Sequence, residues 1–298
     1  MTRIIGIDLG GTKTAVVRAE DGRIARTERF PTGAPAETLA RITAAIEALE
    51  PGEAPVFGVS CGGPLDRQAG VILAPACLPE WKRVPITRLL TERFGGRAYL
   101  MNDANAGALA EWRFGAGQGL RSLIFLTHGT GFGAGLILDG RLYEGATGDA
   151  GEIGHVRLEA DGPVGWHKAG SVEGFCGGGG LARWAELRGL PYANAQEILQ
   201  AAERGETEAV ALLAESGRYL GRALAILVDV LNPELIVLGS LYLRAGGLLE
   251  EEMRRALAEE ALPGPLAACR IVPSALGEEI GSYAAVAVGM AGEGLLGA

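Results

Sequence analysis

No Cys-x-x-Cys pair occurs in this chain. Its four cysteines, Cys61, Cys77, Cys176 and Cys269, are scattered, which reads as reduced cytosolic thiols rather than a disulfide or metal framework. Basic clusters are also missing. The chain carries 27 Lys and Arg against 36 Asp and Glu, a formal net charge of −9. A nucleic-acid surface needs a basic face to displace counterions, so no nucleic-acid partner is expected. No apolar run approaches the length of a membrane span. Met1-Thr2-Arg3-Ile4-Ile5-Gly6 enters strand-like sequence without the apolar core and cleavage site of a secretion signal. A cytoplasmic protein with no membrane partner is expected. The Walker A spacing, Gly-x-x-x-x-Gly-Lys-Ser/Thr, is absent too, which excludes a P-loop nucleotide site.

Glycine is what the chain has in excess, 47 residues of 298. They follow no collagen period and sit largely between apolar runs, where they mark tight turns and close backbone approaches. The most informative pattern is an internal echo. Ile4-Ile5-Gly6-Ile7 leads into Asp8-Leu9-Gly10-Gly11-Thr12, a second apolar strand at Ala15-Val16-Val17, and the turn Asp21-Gly22-Arg23. Leu123-Ile124-Phe125-Leu126 leads likewise into Gly129-Thr130-Gly131-Phe132-Gly133, then Leu136-Ile137-Leu138, then Asp139-Gly140-Arg141. Strand, Gly/Thr turn, strand and Asp-Gly hairpin signal thus occur twice in one order, and duplication explains this better than chance.

Between the two copies, helical and strand periods alternate. Helices are predicted over residues 39–49, 86–94, roughly 205–231 and after Arg244, and strands over 55–59, 98–101 and 235–239. Such alternation predicts two α/β lobes. The expected division is a smaller lobe over 1–110 and a larger one over 111–279, with a C-terminal helix at about 280–298 packing back on the first.

Each glycine turn suits phosphate. Gly10 and Gly11 let backbone N–H groups approach phosphate oxygens, Thr12 adds a hydroxyl, and Asp8 can orient Mg²⁺ or its waters. The bland alternative is an ordinary hairpin with a solvated Asp. Paired with Gly129, Thr130, Gly131 and Gly133, the first turn suggests two hairpins with a triphosphate between them, as in the actin-like, hexokinase-like ATPases. Asn102-Asp103 follows a strand, so it either caps a helix or carries chemistry. Glu152 and His155, three apart, fall on one side of a helical turn and offer the paired acceptor and donor that neighbouring hydroxyls need.

Taken in order, these pieces resemble the ROK family (repressors, open reading frames, kinases) over essentially the whole chain. They are Asp8-Leu9-Gly10-Gly11-Thr12-Lys13, Gly63-Pro64-Leu65-Asp66 with Leu78-Pro79-Glu80-Trp81, and Asn102-Asp103-Ala104-Asn105-Ala106. Gly129-Thr130-Gly131-Phe132-Gly133, Gly151-Glu152-Ile153-Gly154-His155 and Leu231-Asn232-Pro233-Glu234 complete them. The resemblance implies a two-lobed actin-like or hexokinase-like (ribonuclease H-like) α/β ATPase fold. It implies an ATP- and Mg²⁺-dependent phosphotransferase acting on a hexose or hexose derivative, in a homodimer or homotetramer. It assigns Asp103 as general base, and Asn102, Asp103, Glu152, His155 and Glu173 as sugar contacts. It places Asp8, Gly10, Gly11, Thr12, Lys13, Gly129, Thr130, Gly131, Gly133 and Gly239 around the nucleotide.

The chain departs from the family pattern in three places. Typical members follow the histidine with cysteines that bind zinc. Here Val164, Trp166 and Ser171 occupy those positions, so no structural zinc is expected. An apolar plug of Val164 and Trp166 is the predicted substitute, with a site rebuilt from His155, His167 and Cys176 as the alternative. Cys77 stands where many relatives carry Asn, and Gly239-Ser240-Leu241 where they carry a glycine triplet. Gly177-Gly178-Gly179-Gly180 is either a loop near the nucleotide or a helix entry. The other functional class implied by the resemblance is a sugar-sensing transcriptional regulator.

Overall fold

The computed structural model describes residues 3–296; Met1-Thr2 and the last two positions of the helix expected at 280–298 lie outside them. The chain divides into two compact units. One comprises residues up to Gln118 together with those from Glu278 onward, and the other is Gly119–Gly277.

In the first unit, β1 (Arg3–Leu9), β2 (Lys13–Glu20), β3 (Arg23–Pro31), β4 (Val56–Cys61) and β8 (Arg97–Asn102) form one sheet in the order β3-β2-β1-β4-β8. β2 is antiparallel to β1 and β3, while β4 and β8 run parallel to β1. The near-continuous apolar runs of β1 and β4 follow from burial on both faces. Ile5, Ile7 and Leu9 pack with Ile42 and Ile46 of α1 (Pro35–Ala48) and Leu90 of α2 (Ile86–Phe94), whereas Ile4 and Val17 pack with Val286 and Met290. Those last two belong to the C-terminal helix α10 (Ile280–Gly292), which ends at Gly292 rather than running on to 298. Gly58 lies so close under α10 that a side chain there would collide with the Ala285 carbonyl. A small sheet of β5 (Leu65–Asp66), β6 (Val71–Leu73) and β7 (Lys82–Val84) precedes α2, and α3 (Asp103–Phe114) follows β8 directly.

The second unit repeats this topology. β9 (Leu123–Leu126), β10 (Ala134–Leu138), β11 (Arg141–Tyr143), β14 (Leu235–Leu238) and β15 (Arg270–Pro273) form the sheet β11-β10-β9-β14-β15. The strand directions match those of the first unit, antiparallel and then parallel. Both predicted Asp-Gly hairpins adopt positive φ at both residues, 50° and 80° at Asp21-Gly22 and 57° and 75° at Asp139-Gly140, the geometry that matches strand twist. The echo in the sequence is therefore an echo in topology.

A two-stranded hairpin of β12 (Val164–Gly165) and β13 (Lys168–Ala169) leads into α4 (Val172–Cys176), α5 (Gly178–Leu187) and α6 (Ala195–Glu203). The long α7 (Thr207–Leu231) stops where Asn232 turns left-handed, φ 45°, ahead of Pro233, a recognised way to end a helix. Gly217 and Gly221 of α7 let it run against Leu249 and Met253 of α8 (Ser240–Glu260), and α9 (Pro263–Ala268) leads back to β15. The sequence predicted helix only after Arg244. α8 starts earlier, directly after β14 with Gly239 as its N-cap, and the Ser240 hydroxyl in its first turn donates to the His128 carbonyl at 3.2 Å. Among the described residues no helix is long and apolar enough to cross a membrane.

Candidate active site

In α/β sheets ligands gather at the carboxyl ends of the parallel strands, and the predicted site residues of each unit lie there. In the first unit Asp8 is the penultimate residue of β1, Asn102 ends β8 and Asp103 opens α3. The Asn102 side chain caps α3, its Oδ1 accepting from the Asn105 N–H at 2.8 Å. That satisfies one of the helix's unpaired donors and leaves the Nδ2 group to donate elsewhere.

Asp103 is accessible to solvent, so a ligand can reach it. Protein crowding round the carboxyl still desolvates it enough to raise its pKa, against the backbone N–H groups of Ala104 and Asp103 itself, which favour the charged form. Asp8 is pushed up to about 6, first by burial and then by the negative charge of Asp103, with Lys13 and Arg29 opposing. A carboxyl raised by the charge of a second carboxylate marks an acidic site of the kind a divalent cation neutralises. The Asp8 carboxylate also abuts Gly281 in the first turn of α10, where any side chain would strike it. Its surroundings therefore fit Mg²⁺, with Asp8 the residue that would hold the ion or its waters.

Gly10, Gly11, Thr12 and Lys13 make the β1–β2 turn. The Gly10 N–H donates to the Lys13 carbonyl at 3.1 Å. Gly11 is pressed against Cys77, whose Cβ would stand 2.7 Å from a Cβ at residue 11. Thr12 and Lys13 are exposed.

In the second unit the corresponding turn, Gly129–Gly133, joins β9 to β10. Its carbonyls are held by the glycine run of α5: the Gly178 N–H donates to the Gly129 carbonyl at 2.8 Å, and the Gly179 N–H to that of Thr130 at 2.9 Å. Gly177–Gly180 is thus the entry of α5, clamped onto the turn. Glu173, on α4, accepts from the Phe132 N–H at 3.1 Å through Oε2, and a Cβ at Gly131 would come within 2.9 Å of that oxygen. Glu152 precedes a single 3₁₀ turn, Ile153–His155, that His155 closes, and both are exposed. Gly154 between them approaches the Phe132 carbonyl and the Glu173 side chain. The fold therefore brings Glu173 and the turn that carries Glu152 and His155 up to the second glycine turn. Gly239 caps α8 at the end of β14, its N–H donating to the Leu126 carbonyl at 2.9 Å.

The structure does not build the predicted apolar plug. Val164 and Trp166 are 39% and 47% exposed, because they belong to a hairpin whose tip turns outward. The segment is held instead by hydrogen bonds around the buried Ser171. Its hydroxyl donates to the Lys168 carbonyl at 3.1 Å and accepts from the Gly174 N–H at 3.2 Å. The Lys168 ammonium donates to the His155 carbonyl at 2.8 Å. Nor are His155, His167 and Cys176 gathered: Cys176 is buried, the two histidines are exposed, and among the described residues no group of three His, Cys, Asp or Glu side chains is placed to hold a metal.

One residue that the motifs do not single out is His128. It is fully buried immediately before the second glycine turn, and its Nε2 lies 2.9 Å from the Cys176 carbonyl. That acceptor requires the Nε2–H tautomer. Burial pulls its pKa down to about 4, so the ring is neutral at pH 7 and ties the turn to the end of α4. A polar residue between an apolar strand and a glycine turn was the available signal.

A family model described as "ROK family" matches residues 4–290. The glucokinase of Thermotoga maritima is 31% identical over 306 aligned residues, which cover 96% of each chain. A crystal structure of a ROK hexokinase from Thermus thermophilus matches with a TM-score of 0.82 at 32% identity, covering 98% of this chain and all of that one. A ROK family glucokinase from Streptomyces griseus, solved with glucose and AMPPNP, matches with a TM-score of 0.77 at 28% identity, covering 95% of this chain and 97% of its own.

Proposed function

The chain belongs to the ROK family, has the actin-like, hexokinase-like α/β fold and is a sugar kinase; on that premise we propose that it transfers the γ-phosphoryl group of ATP to a hydroxyl of a hexose, with Asp103 as general base. The observation that carries the proposal is the place of Asp103: a solvent-accessible carboxylate at the carboxyl end of parallel strands, one residue after a capping Asn and within reach of Asp8's charge.

In this reading the Asp103 carboxylate accepts the proton of the attacking hydroxyl. The hydroxyl oxygen forms a bond to the γ-phosphorus, the bond from that phosphorus to the bridging oxygen breaks, and ADP leaves. Phosphoryl transfer asks little covalent chemistry of the protein, so positioning and charge do most of the rest. The Asn102 Nδ2 group, Glu152, His155 and Glu173 orient the hexose hydroxyls. The turns at Gly10–Lys13 and Gly129–Gly133, with Gly239, receive the nucleotide. Mg²⁺ bound near Asp8 would shield the phosphate charge.

A homodimer or homotetramer in the cytoplasm is part of the same proposal. The transfer reaction is tested by ADP release across a panel of hexoses and N-acetylhexosamines, with ATP, GTP and polyphosphate as donors. Sugar-dependent ADP release from ATP supports the reading. A protein that binds sugar but releases no ADP is instead a sugar-sensing regulator.

A further inference from the structure

Between the turn bearing Glu152 and His155 and the helix bearing Glu173, the chain inserts the β12–β13 hairpin, whose tip is Trp166-His167. Both tip residues occupy the left-handed region, with φ of 37° and 65°. Two-residue turns of this shape favour Asn and Gly, and a bulky residue there is strained.

The hairpin is nonetheless held on three sides. Gly165 packs so tightly on α4 that a Cβ there would lie 2.8 Å from the Glu173 Cβ and 2.5 Å from the Gly174 nitrogen. Lys168 Nζ reaches the His155 carbonyl at 2.8 Å, and Arg183 Nε donates to the Val164 carbonyl. The two residues proposed to read the sugar, His155 and Glu173, thus share this hairpin as a common support. At its tip the Trp166 indole is 47% exposed, its ring 5.4 Å from that of the exposed His167 and inclined at 56°. Trp81 and Trp184, by contrast, are buried in the cores. An exposed indole on a strained backbone contributes nothing to folding that Asn-Gly would not supply better, and strain of this kind clusters at functional sites.

We propose that Trp166 and His167 form the outer wall of the hexose site, a specificity element in which the indole receives the apolar C–H face of a pyranose ring. Pyranoses are amphipathic in just this sense: equatorial hydroxyls leave axial C–H groups that match an aromatic face, while the polar imidazole edge can meet a hydroxyl. Hexoses with an uninterrupted C–H face are then preferred over epimers in which an axial hydroxyl breaks it. The inference rests on the sugar-kinase reading above.

The test uses Trp166→Gly and Trp166→Phe in the full-length protein. Glycine removes the indole and also relieves the left-handed strain, so a Trp166 without a role predicts an unchanged or higher Tm and unchanged kinetics, and a merely structural Trp166 a lower Tm. The proposal predicts the unchanged or higher Tm together with a sugar KM raised about tenfold or more, the scale of a lost apolar contact in a substrate pocket. It also predicts little change in kcat or in the KM for ATP, a narrower preference between hexose epimers, and a sugar KM for Trp166→Phe nearer that of the wild type. An active wild type whose Trp166→Gly variant keeps the same sugar KM overturns this proposal alone, as does a raised KM accompanied by a clear fall in Tm. A wild type that phosphorylates no hexose overturns the sugar-kinase reading, and this proposal with it.

Discussion

At the scale of single residues, the acidic pair and the buried histidine make the sharpest predictions. Asp103→Asn is expected to fold and to bind sugar, and to lose kcat by roughly 10²–10⁴-fold, the usual share of a general base. Steady-state kinetics set beside equilibrium sugar binding check it, and a variant with near wild-type kcat would remove Asp103 from the mechanism. Because the Asp103 carboxyl is held above its ordinary value by desolvation, the acid limb of kcat/KM is expected above the ordinary carboxylate range. Activity falls as the pH drops through that limb, since the base works only when deprotonated. The charge of Asp103 is one of the causes that raise Asp8, so Asp103→Asn should move the titration of Asp8, followed by NMR, to lower pH.

His128 bears on stability. Its pKa is about 4 in the fold and 6.5 when unfolded, so the unfolded chain binds the extra proton between those values. Its contribution is complete above pH 6.5 and disappears as the pH falls towards 4. Asp8 works in the opposite sense over much of the same window, the folded state holding its proton more tightly. His128→Gln removes one of these opposed terms while keeping a donor for the Cys176 carbonyl. Its Tm should therefore fall less than that of the wild type between pH 6.5 and 4.5. Equal falls in the two proteins would show that His128 does not titrate on unfolding.

At the scale of elements, α10 and α8 make opposite uses of glycine. Gly58 of β4 sits beneath α10 where a methyl group would meet the Ala285 carbonyl, so Gly58→Ala must push helix and sheet apart. Overpacking of that kind typically costs about 1–3 kcal/mol and sometimes more. Gly247, in the middle of α8, has nothing within 4 Å of the place its Cβ would take. Gly247→Ala is therefore expected to stabilise the protein by roughly 0.5–1 kcal/mol, the helix-propensity difference between the two residues. Chemical denaturation of both variants checks the pair, and two changes of the same sign would refute the assigned packing. The β12–β13 hairpin shows why this scale is hard to read: Val164 and Trp166 are apolar and expected to be buried, yet Gly165 takes the buried position of β12 and Val164 the exposed one, while Trp166 stands on the exposed two-residue tip.

At the scale of the whole molecule, metal content is the decisive measurement. The segment from His155 to Glu173 is held by Lys168 and Ser171 through hydrogen bonds to its own backbone. Purified protein is accordingly expected to carry zinc well below one atom per chain, and chelators to act only through Mg²⁺. Stoichiometric zinc that survives dialysis, with activity lost on its removal, would contradict this. Ser171→Ala, which strands the Gly174 N–H, should in turn cost about 1–3 kcal/mol, visible as a lower denaturation midpoint.

What the sequence determined by itself was the repeated local code. Apolar runs set the strands, Gly/Thr turns followed them, and Asp-Gly set two hairpins with left-handed backbone, because period, β-propensity and φ preference are properties of adjacent residues. Tertiary structure alone decided the rest. It raised Asp8 to about 6 by burying it near Asp103 and buried His128 against the Cys176 carbonyl. It seated Glu173 on the Phe132 N–H and left Trp166 in solvent. Each of these depends on residues far apart in the chain, and desolvation, close approach and long-range hydrogen bonds exist only once the backbone has brought such residues together.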